Sequence, residues 1–537
     1  MLHIRCQDFS AKSPASVAGN EVTNLTPFQS TPESHEDPAL PARSFGRFII
    51  AMSSLIMPAF VFAAETGGEQ SLLESAIYRF ESLVFWTVPV PFVGVEIEAI
   101  VLWLAIPMLI FTFYFRGVNF RCLGQATRIL RGKYYNPDAP GEVTQFQALS
   151  TALSATVGLG NIAGVAVAIG YGGAGAVFWM IVVGFLAMTL KFLECTLGVK
   201  YRIEHDDGTV SGGPMMYLER GLQRQGYPRL GKVLAISYAI PALFSTLTFF
   251  QINQAYEQAN AVAHFDHAVL FALTFGLLAA VVIIGGVTSI AKIASRLVPL
   301  MCGVYVLAAL IVIGANLAMV PSVFMNILTS AFSPQAVEGG LIGVLVIGMR
   351  RAVSSSEAGL GSAAIAHAAA KTDEPISEGL VALYEPFVDT VIICTMTALV
   401  ILITGADSGI ETGVAMTSSA FGSVVAWFPW ILALAVLLFA YSTVITWSYY
   451  GETICVSLFG YSKVVVYTWR LAYCIITPAG ALIASGAVIA FLDSVYFLMA
   501  VPNVIGLYFL APEIKADLAD YLRRVKDGSI PLRVAAE

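Results

Sequence analysis

The chain has 537 residues, of which 57% are hydrophobic and 12% charged, with a formal net charge of −7. A globular domain carries about 25% charged residues, so this chain has roughly half the charge that covers a water-facing surface and reads as an integral membrane protein. At about 20 apolar residues per spanning helix, ten or more spans fit and no separate enzyme domain is left over. The acidic balance and the lack of any basic stripe exclude nucleic acid as a partner.

Residues 1–45 are polar and irregular, punctuated by Pro14, Pro27, Pro32, Pro38 and Pro41, and read as a disordered tail or a start placed too far upstream. Arg43 and Arg47 precede the apolar run Phe48–Ala63, which ends in small residues, so 46–64 has the parts of a secretory signal peptide. A retained short transmembrane helix is the other reading. Residues 65–95 follow as an external amino-terminal segment.

Eleven apolar segments come next, near 99–115, 150–169, 174–198, 234–252, 268–286, 298–319, 339–370, 388–404, 425–447, 471–491 and 495–511. Backbone groups in hydrocarbon must be bonded internally, so each is expected to be a helix. The basic residues test the count, because Lys and Arg gather on the cytoplasmic side. With Arg116–Lys133 inside, alternate loops fall inside, and they hold Lys200, Arg202, Arg220, Arg224, Arg229, Lys232, Lys292, Arg296, Lys371, Lys463 and Arg470. The intervening loops 170–173, 253–267, 320–338, 405–424 and 492–494 hold no Lys or Arg. The reading places a first transmembrane helix and cytoplasmic loop at 96–148, five helices at 149–330, five more at 338–512 and a cytoplasmic tail at 513–537.

Two segments are interrupted and resemble each other: Val157-Gly158-Leu159-Gly160-Asn161 in the second and Ala358-Gly359-Leu360-Gly361-Ser362 in the seventh. An odd number of crossings separates them, so the two groups of five cross the membrane in opposite senses. Glycine-interrupted helices at corresponding places in inverted halves point to a transporter's binding site; close helix packing at Gly-x-Gly is the plainer alternative. Where a helix unwinds, its free N–H groups suit a carboxylate and its free carbonyls a small cation. Residues Ser154–Asn161 supply both, and Asn161 offers a side-chain oxygen to a cation or a substrate ammonium. In the seventh segment Arg350, Arg351, Ser354, Ser355, Ser356 and Glu357 stand at membrane depth, either lining the site and its gate or forming a structural ion pair. Lys191 and Glu194, three apart, read as a structural pair.

The stretch Phe146–Ala166 resembles the signature region of the alanine/glycine:cation symporter family. Gly172–Met180, Gly212–Tyr217, Gln251–Ala255, Glu357–Ser362, Asp389–Thr395, Phe439–Thr443 and Trp447–Glu452 match it in the same order, over roughly residues 95–515. The resemblance implies an all-α polytopic membrane protein of about 11 transmembrane helices: two inverted five-helix repeats of the leucine-transporter type plus one preceding helix, with the first and sixth core helices broken. Carried over, a sodium ion is held by the carbonyls of Ser154 and Val157 and the hydroxyls of Ser442 and Thr443. The substrate carboxylate lies on the amides of Gly158, Leu159, Gly160 and Asn161, and Phe250, Gln251 and Trp447 close the pocket. Arg351, Ser355, Ser356, Glu357, Gly359 and Gly361 form the second broken helix and gate. Ser354, Ser356, Ala352 and Ala174 depart from the family pattern, and the Ser354 and Ser356 changes leave exact substrate size and selectivity open.

The expected function is a sodium-coupled symporter importing alanine or glycine across a bacterial inner membrane, with no cofactor and Na+ as the coupling ion. A proton-coupled carrier of another small amino acid and a cation channel are the alternatives; a channel lacks the repeated filter it needs. No enzyme is expected, because Ser355 and His367 have nothing to orient them as nucleophile and base. The H-x-x-H of His264 and His267 lacks a third ligand. The seven scattered cysteines form no disulfide framework.

Overall fold

A computed structural model describes residues 72–89, 96–333, 340–409, 413–482 and 486–531. The tail at 1–45 and the signal-like segment at 46–64 lie outside the described residues. Helix α1 (Leu72–Val84) leads into a two-stranded antiparallel hairpin, β1 (Thr87–Pro89) with β2 (Glu96–Glu98), and then α2 (Ala99–Tyr114). Next come α3 (Gln145–Thr156), a π-helical turn at Gly160–Gly164, α4 (Val165–Gly172) and α5 (Gly175–Lys200). A second hairpin, β3 (Ile203–Glu204) with β4 (Val210–Ser211), precedes α6 (Pro228–Ser245), α7 (Phe249–Ala263), α8 (Ala268–Ile283) and α9 (Gly286–Ala315). The second half holds α10 (Gly340–Ser356), α11 (Ala363–Ala368), α12 (Pro375–Ala382), a π-helical stretch Phe387–Cys394 continued by α13 (Thr395–Thr404), α14 (Phe428–Phe459), α15 (Lys463–Ile476), α16 (Gly486–Leu498) and α17 (Ala500–Lys526).

The apolar segments read from the sequence fall largely on helices, though 234–252 and 471–491 each run across two. Among the described residues seven helices are long and apolar enough to cross a membrane, or eight when α3 and α4 count as one bent span. Helices α2 and α8 are apolar but have 16 residues each, near the lower limit of about 17 for a span. On α8, Val269, Leu273, Leu277 and Val281 form an exposed apolar stripe at helical spacing, a surface suited to lipid and unsuited to water.

Helix α5 forms the centre. It is buried over most of its length and packs on α10, α11 and α12. Small residues permit the close approach. A β-carbon on Gly379 would stand 1.9 Å from Thr196 Oγ1, so any side chain there would drive α12 off α5.

Sequence explains where the two broken helices start and stop. Thr144 and Gln147 form a capping box on α3, each side chain bonded to the other's backbone N–H at 3.2 and 2.9 Å. The helix ends where Val157 turns extended (ψ 105°), and the chain bends by 56° into α4. The second interruption begins later than its polar run suggested. Helix α10 continues through Arg350 to Ser356, and the break is set by left-handed backbone at Glu357 (φ 53°), Gly359 (φ 91°) and Gly361 (φ 78°).

At the end of the molecule that carries the basic loops, the entrance to α3 is laced to the exit of α11. Glu142 N–H donates to Ala369 O at 2.8 Å and Lys371 N–H to Val143 O at 2.8 Å. Arg202 caps Ala368 O, Ala370 O and Pro140 O at 3.0, 2.8 and 2.7 Å.

Candidate binding site at the two helix breaks

The first break faces α14. Ser154 O accepts from Ser442 Oγ at 3.3 Å and Thr443 Oγ1 at 3.2 Å. Ser154 Oγ donates to Ser442 O at 2.8 Å and accepts from Thr446 Oγ1 at 3.0 Å. Three of the four residues expected around sodium therefore meet as a knot of hydroxyl and carbonyl oxygens. Val157, the fourth, is the extended residue at which α3 ends. Hard oxygen ligands with no basic side chain among them are the chemistry that a small hydrated cation exchanges its water for.

On its other side the first break faces α10 and the Phe387–Cys394 stretch. Asn161 Oδ1 accepts the Gly158 N–H at 2.8 Å, so in this conformation that amide and that side-chain oxygen satisfy each other. Asn161 Nδ2 lies 2.6 Å from Asp389 Oδ1, 3.1 Å from Asp389 O and 3.1 Å from Ser355 Oγ. Asp389 Oδ2 accepts from Ser355 Oγ at 2.6 Å and Thr390 Oγ1 at 2.8 Å. All of these side chains are buried. Among the described residues Asp389 has uncharged donors and no Lys, Arg or His partner. Gly160 completes the meeting of the breaks, since a β-carbon there would lie 3.6 Å from Ser355 Cα. The buried Leu159 fills the turn between the two glycines.

The second break is held differently. Glu357 accepts from Ser362 Oγ, and Gly359 O accepts from Asn503 Nδ2 at 2.8 Å. Asn503 Nδ2 also reaches Glu194 Oε1 at 2.7 Å, while Tyr217 OH donates to Asn503 Oδ1. Beneath them Lys191 Nζ pairs with Glu385 Oε1 at 2.8 Å, and His367 Nδ1 with Glu378 Oε1 at 2.6 Å, all four side chains fully buried. The expected Lys191–Glu194 pair is therefore replaced: lysine turns to Glu385 and Glu194 to Asn503. Nor do the arginines before the break pair with Glu357. Arg350 bonds Glu98 at 2.6 Å, and Arg351 is half-buried within electrostatic reach of Glu98 and Asp493. Ser356 is buried, its Oγ 3.4 Å from the Ala358 N–H, and Gly361 packs where a β-carbon would stand 2.5 Å from Pro214.

Trp447 lies buried on α14, its ring 6.2 Å from that of Tyr496. Phe250 and Gln251 open α7, which packs on α14. Among the described residues no hydrogen bond or ring contact joins either of them to the Asn161–Asp389 cluster. His264 and His267 are exposed, with Asp266 between them bonded to Tyr256 OH at 3.3 Å.

The family profile described as "Sodium:alanine symporter family" matches residues 89–534. The chain belongs to the sodium:alanine symporter family. It is a multi-pass membrane transporter and not an enzyme. This family member is 39% identical over 396 residues to the sodium/alanine symporter AgcS of Methanococcus maripaludis, covering 72% of this chain and 86% of that protein. It is 32% identical over 426 residues to the Bacillus subtilis protein named "Probable sodium/glutamine symporter GlnT", covering 79% and 87%. Its fold is also similar to a crystal structure of MhsT in complex with L-phenylalanine, at 14% identity and a TM-score of 0.49 over 69% of this chain and 89% of that one.

Within the symporter, Asp389 is the residue that sequence reasoning passed over. Its signal was there: a lone carboxylate at the entrance of the apolar segment 388–404, where ionisable groups are costly and mark function.

Proposed function

We propose that this symporter couples inward sodium movement to uptake of a small neutral amino acid, alanine or glycine, by alternating access at the two breaks. The observation that carries the reading is the uncompensated Asp389 carboxylate at the contact between the breaks, next to the Ser154–Ser442–Thr443 oxygen knot. A buried carboxylate without a counter-charge is costly and is relieved by a bound cation. An amino-acid zwitterion brings an ammonium group to Asp389, and its carboxylate meets the amino end of the second half of the broken helix at Gly160–Gly164. Sodium settles among the Ser154, Val157, Ser442 and Thr443 oxygens. Each sodium entering at about −100 mV supplies about 2.3 kcal/mol from the potential alone.

The printed name of the Methanococcus relative supports sodium and alanine. That of the Bacillus relative favours a second reading in which the cargo is glutamine. The basic loops support a carboxyl terminus in the cytoplasm of a bacterial cell, with the protein in the inner membrane. Uptake into proteoliposomes decides the matter: alanine, glycine, glutamine and larger amino acids are supplied with an inward sodium gradient, with choline replacement and with an imposed pH gradient. Accumulation of alanine or glycine driven by sodium is expected. Accumulation that ignores sodium, or that follows protons alone, sinks the coupling, and selective glutamine uptake sinks the small-substrate assignment.

A further inference from the structure

The polar stripe of α14 continues from the oxygen knot toward the basic end. Thr446 bonds Ser154, and Tyr449 and Thr453 follow on the same helix, about 5 and 10 Å further along at 1.5 Å per residue. There they line a cavity of about 250 Å³, together with Glu142, Ser211, Glu452 and Arg470. No residue placed at the two breaks lines this cavity.

Its polar groups are incompletely paired. Glu142 Oε1 accepts from Val210 N at 2.9 Å, while its other oxygen has no donor among the described residues. The Tyr449 side chain is buried and its hydroxyl has no hydrogen-bond partner among the described residues. Burial pushes the Glu142 carboxyl above the usual carboxylate range, a rise that the Val210 N–H bond and the charge of Arg470 offset only in part. Arg470 binds Glu452 through Nε and Nη2 at 2.6 and 2.8 Å and Ile284 O through Nη1 at 2.8 Å. That uses three of the five N–H donors of a guanidinium. Gly286 makes room for the group: a β-carbon there would stand 2.6 Å from Arg470 Nη2. The lining thus gathers the Glu142 carboxylate, the part-used Arg470 guanidinium and the Tyr449 hydroxyl around one space that accepts a small amino acid. That arrangement is complementary to a zwitterion.

We propose that this cavity is a second amino-acid site, occupied on the cytoplasmic side during release, in which Glu142 takes the α-ammonium group and Arg470 with Tyr449 the α-carboxylate. The assignment rests on the amino-acid symport reading. It makes release a two-stage process: substrate leaving the breaks is captured about two helical turns lower, and cytoplasmic amino acid competes for the same place.

Equilibrium binding of radiolabelled L-alanine, and in parallel L-glutamine, to the full chain in nanodiscs with sodium tests it. Wild type is expected to bind two molecules per chain, and Glu142→Gln one, because the amide oxygen still accepts from Val210 N while the charge is gone. Tyr449→Phe, which removes a single hydroxyl, is expected to weaken the second site three- to tenfold and leave the first unchanged. A wild-type stoichiometry of one, or two sites persisting in Glu142→Gln, overturns the proposal and leaves symport standing. No binding of either amino acid to wild type overturns the symport reading, and this inference with it.

Discussion

The two helix breaks occupy corresponding places in the two halves, yet they are built from different chemistry. The first gathers uncharged donors around the single carboxylate of Asp389, with Asn161 returning to its own break at Gly158 and hydroxyls of α14 resting on Ser154. The second stands on the buried Lys191–Glu385 ion pair and the buried His367–Glu378 hydrogen bond, with Asn503 gripping Gly359 O. Neutral hydrogen bonds contribute about 1 kcal/mol each and can be exchanged for a ligand's. Breaking a buried ion pair costs about 3–5 kcal/mol. In the proposed function the first break is therefore the face that opens to cargo, and the second the platform against which it works.

The comparison is most exposed to failure at the platform. Lys191→Met is expected to destabilise the folded protein by about 3–5 kcal/mol by stranding Glu385, seen as a lower midpoint of thermal aggregation in detergent. Lys191→Met combined with Glu385→Gln should recover most of the loss. A single mutant as stable as wild type would show that the platform carries no load.

Gly160→Val comes next, because its methyl groups project from a β-carbon 3.6 Å from Ser355 Cα. Uptake should fall at least 100-fold, with membrane insertion and monodispersity retained, and normal uptake would remove Gly160 from the cargo face. Asp389→Ala leaves Asn161 and Ser355 without their acceptor. At about 1.5–3 kcal/mol for hydrogen bonds to a charged group, a 10- to 100-fold drop in uptake is expected in initial-rate assays, and Asp389→Asn separates charge from bonding. The smallest effect belongs to Thr443→Ala. Loss of one oxygen ligand should raise the sodium concentration for half-maximal transport five- to tenfold, with the amino-acid requirement in saturating sodium little changed. An equal shift in both would merge the two loci.

The first break was legible because glycine leaves its mark on any reading of a helix, and the structure interrupts α3 at Val157–Leu159 beside those glycines. The second was read too early. Arginine and serine looked like the interruption, but they continue α10, and the backbone turns only where Glu357, Gly359 and Gly361 adopt positive φ. Glu357 is not a residue from which a left-handed conformation is expected. The partners of Lys191 were beyond reach for another reason. A helical pattern reports neighbours three and four apart, whereas Glu385 lies 194 positions away. Asp389 was hidden by averaging, one carboxylate beside a long apolar run. Nothing in the residue order brings Glu142, Tyr449 and Arg470 to one cavity, since only the packing of three separate stretches does so.

The lacing at the basic end bears on how such a molecule moves. Glu142 and Val143 are bonded to Ala369 and Lys371, and Arg202 spans Pro140, Ala368 and Ala370. At about 1 kcal/mol for each bond, pulling these strands apart would cost as much as a shift of roughly 10⁴ in a two-state population. The approach to one broken helix and the departure from the other therefore travel as a single body. Any rocking between the halves needs its hinges higher in the bundle, where the neutral contacts of the first break can be exchanged one at a time.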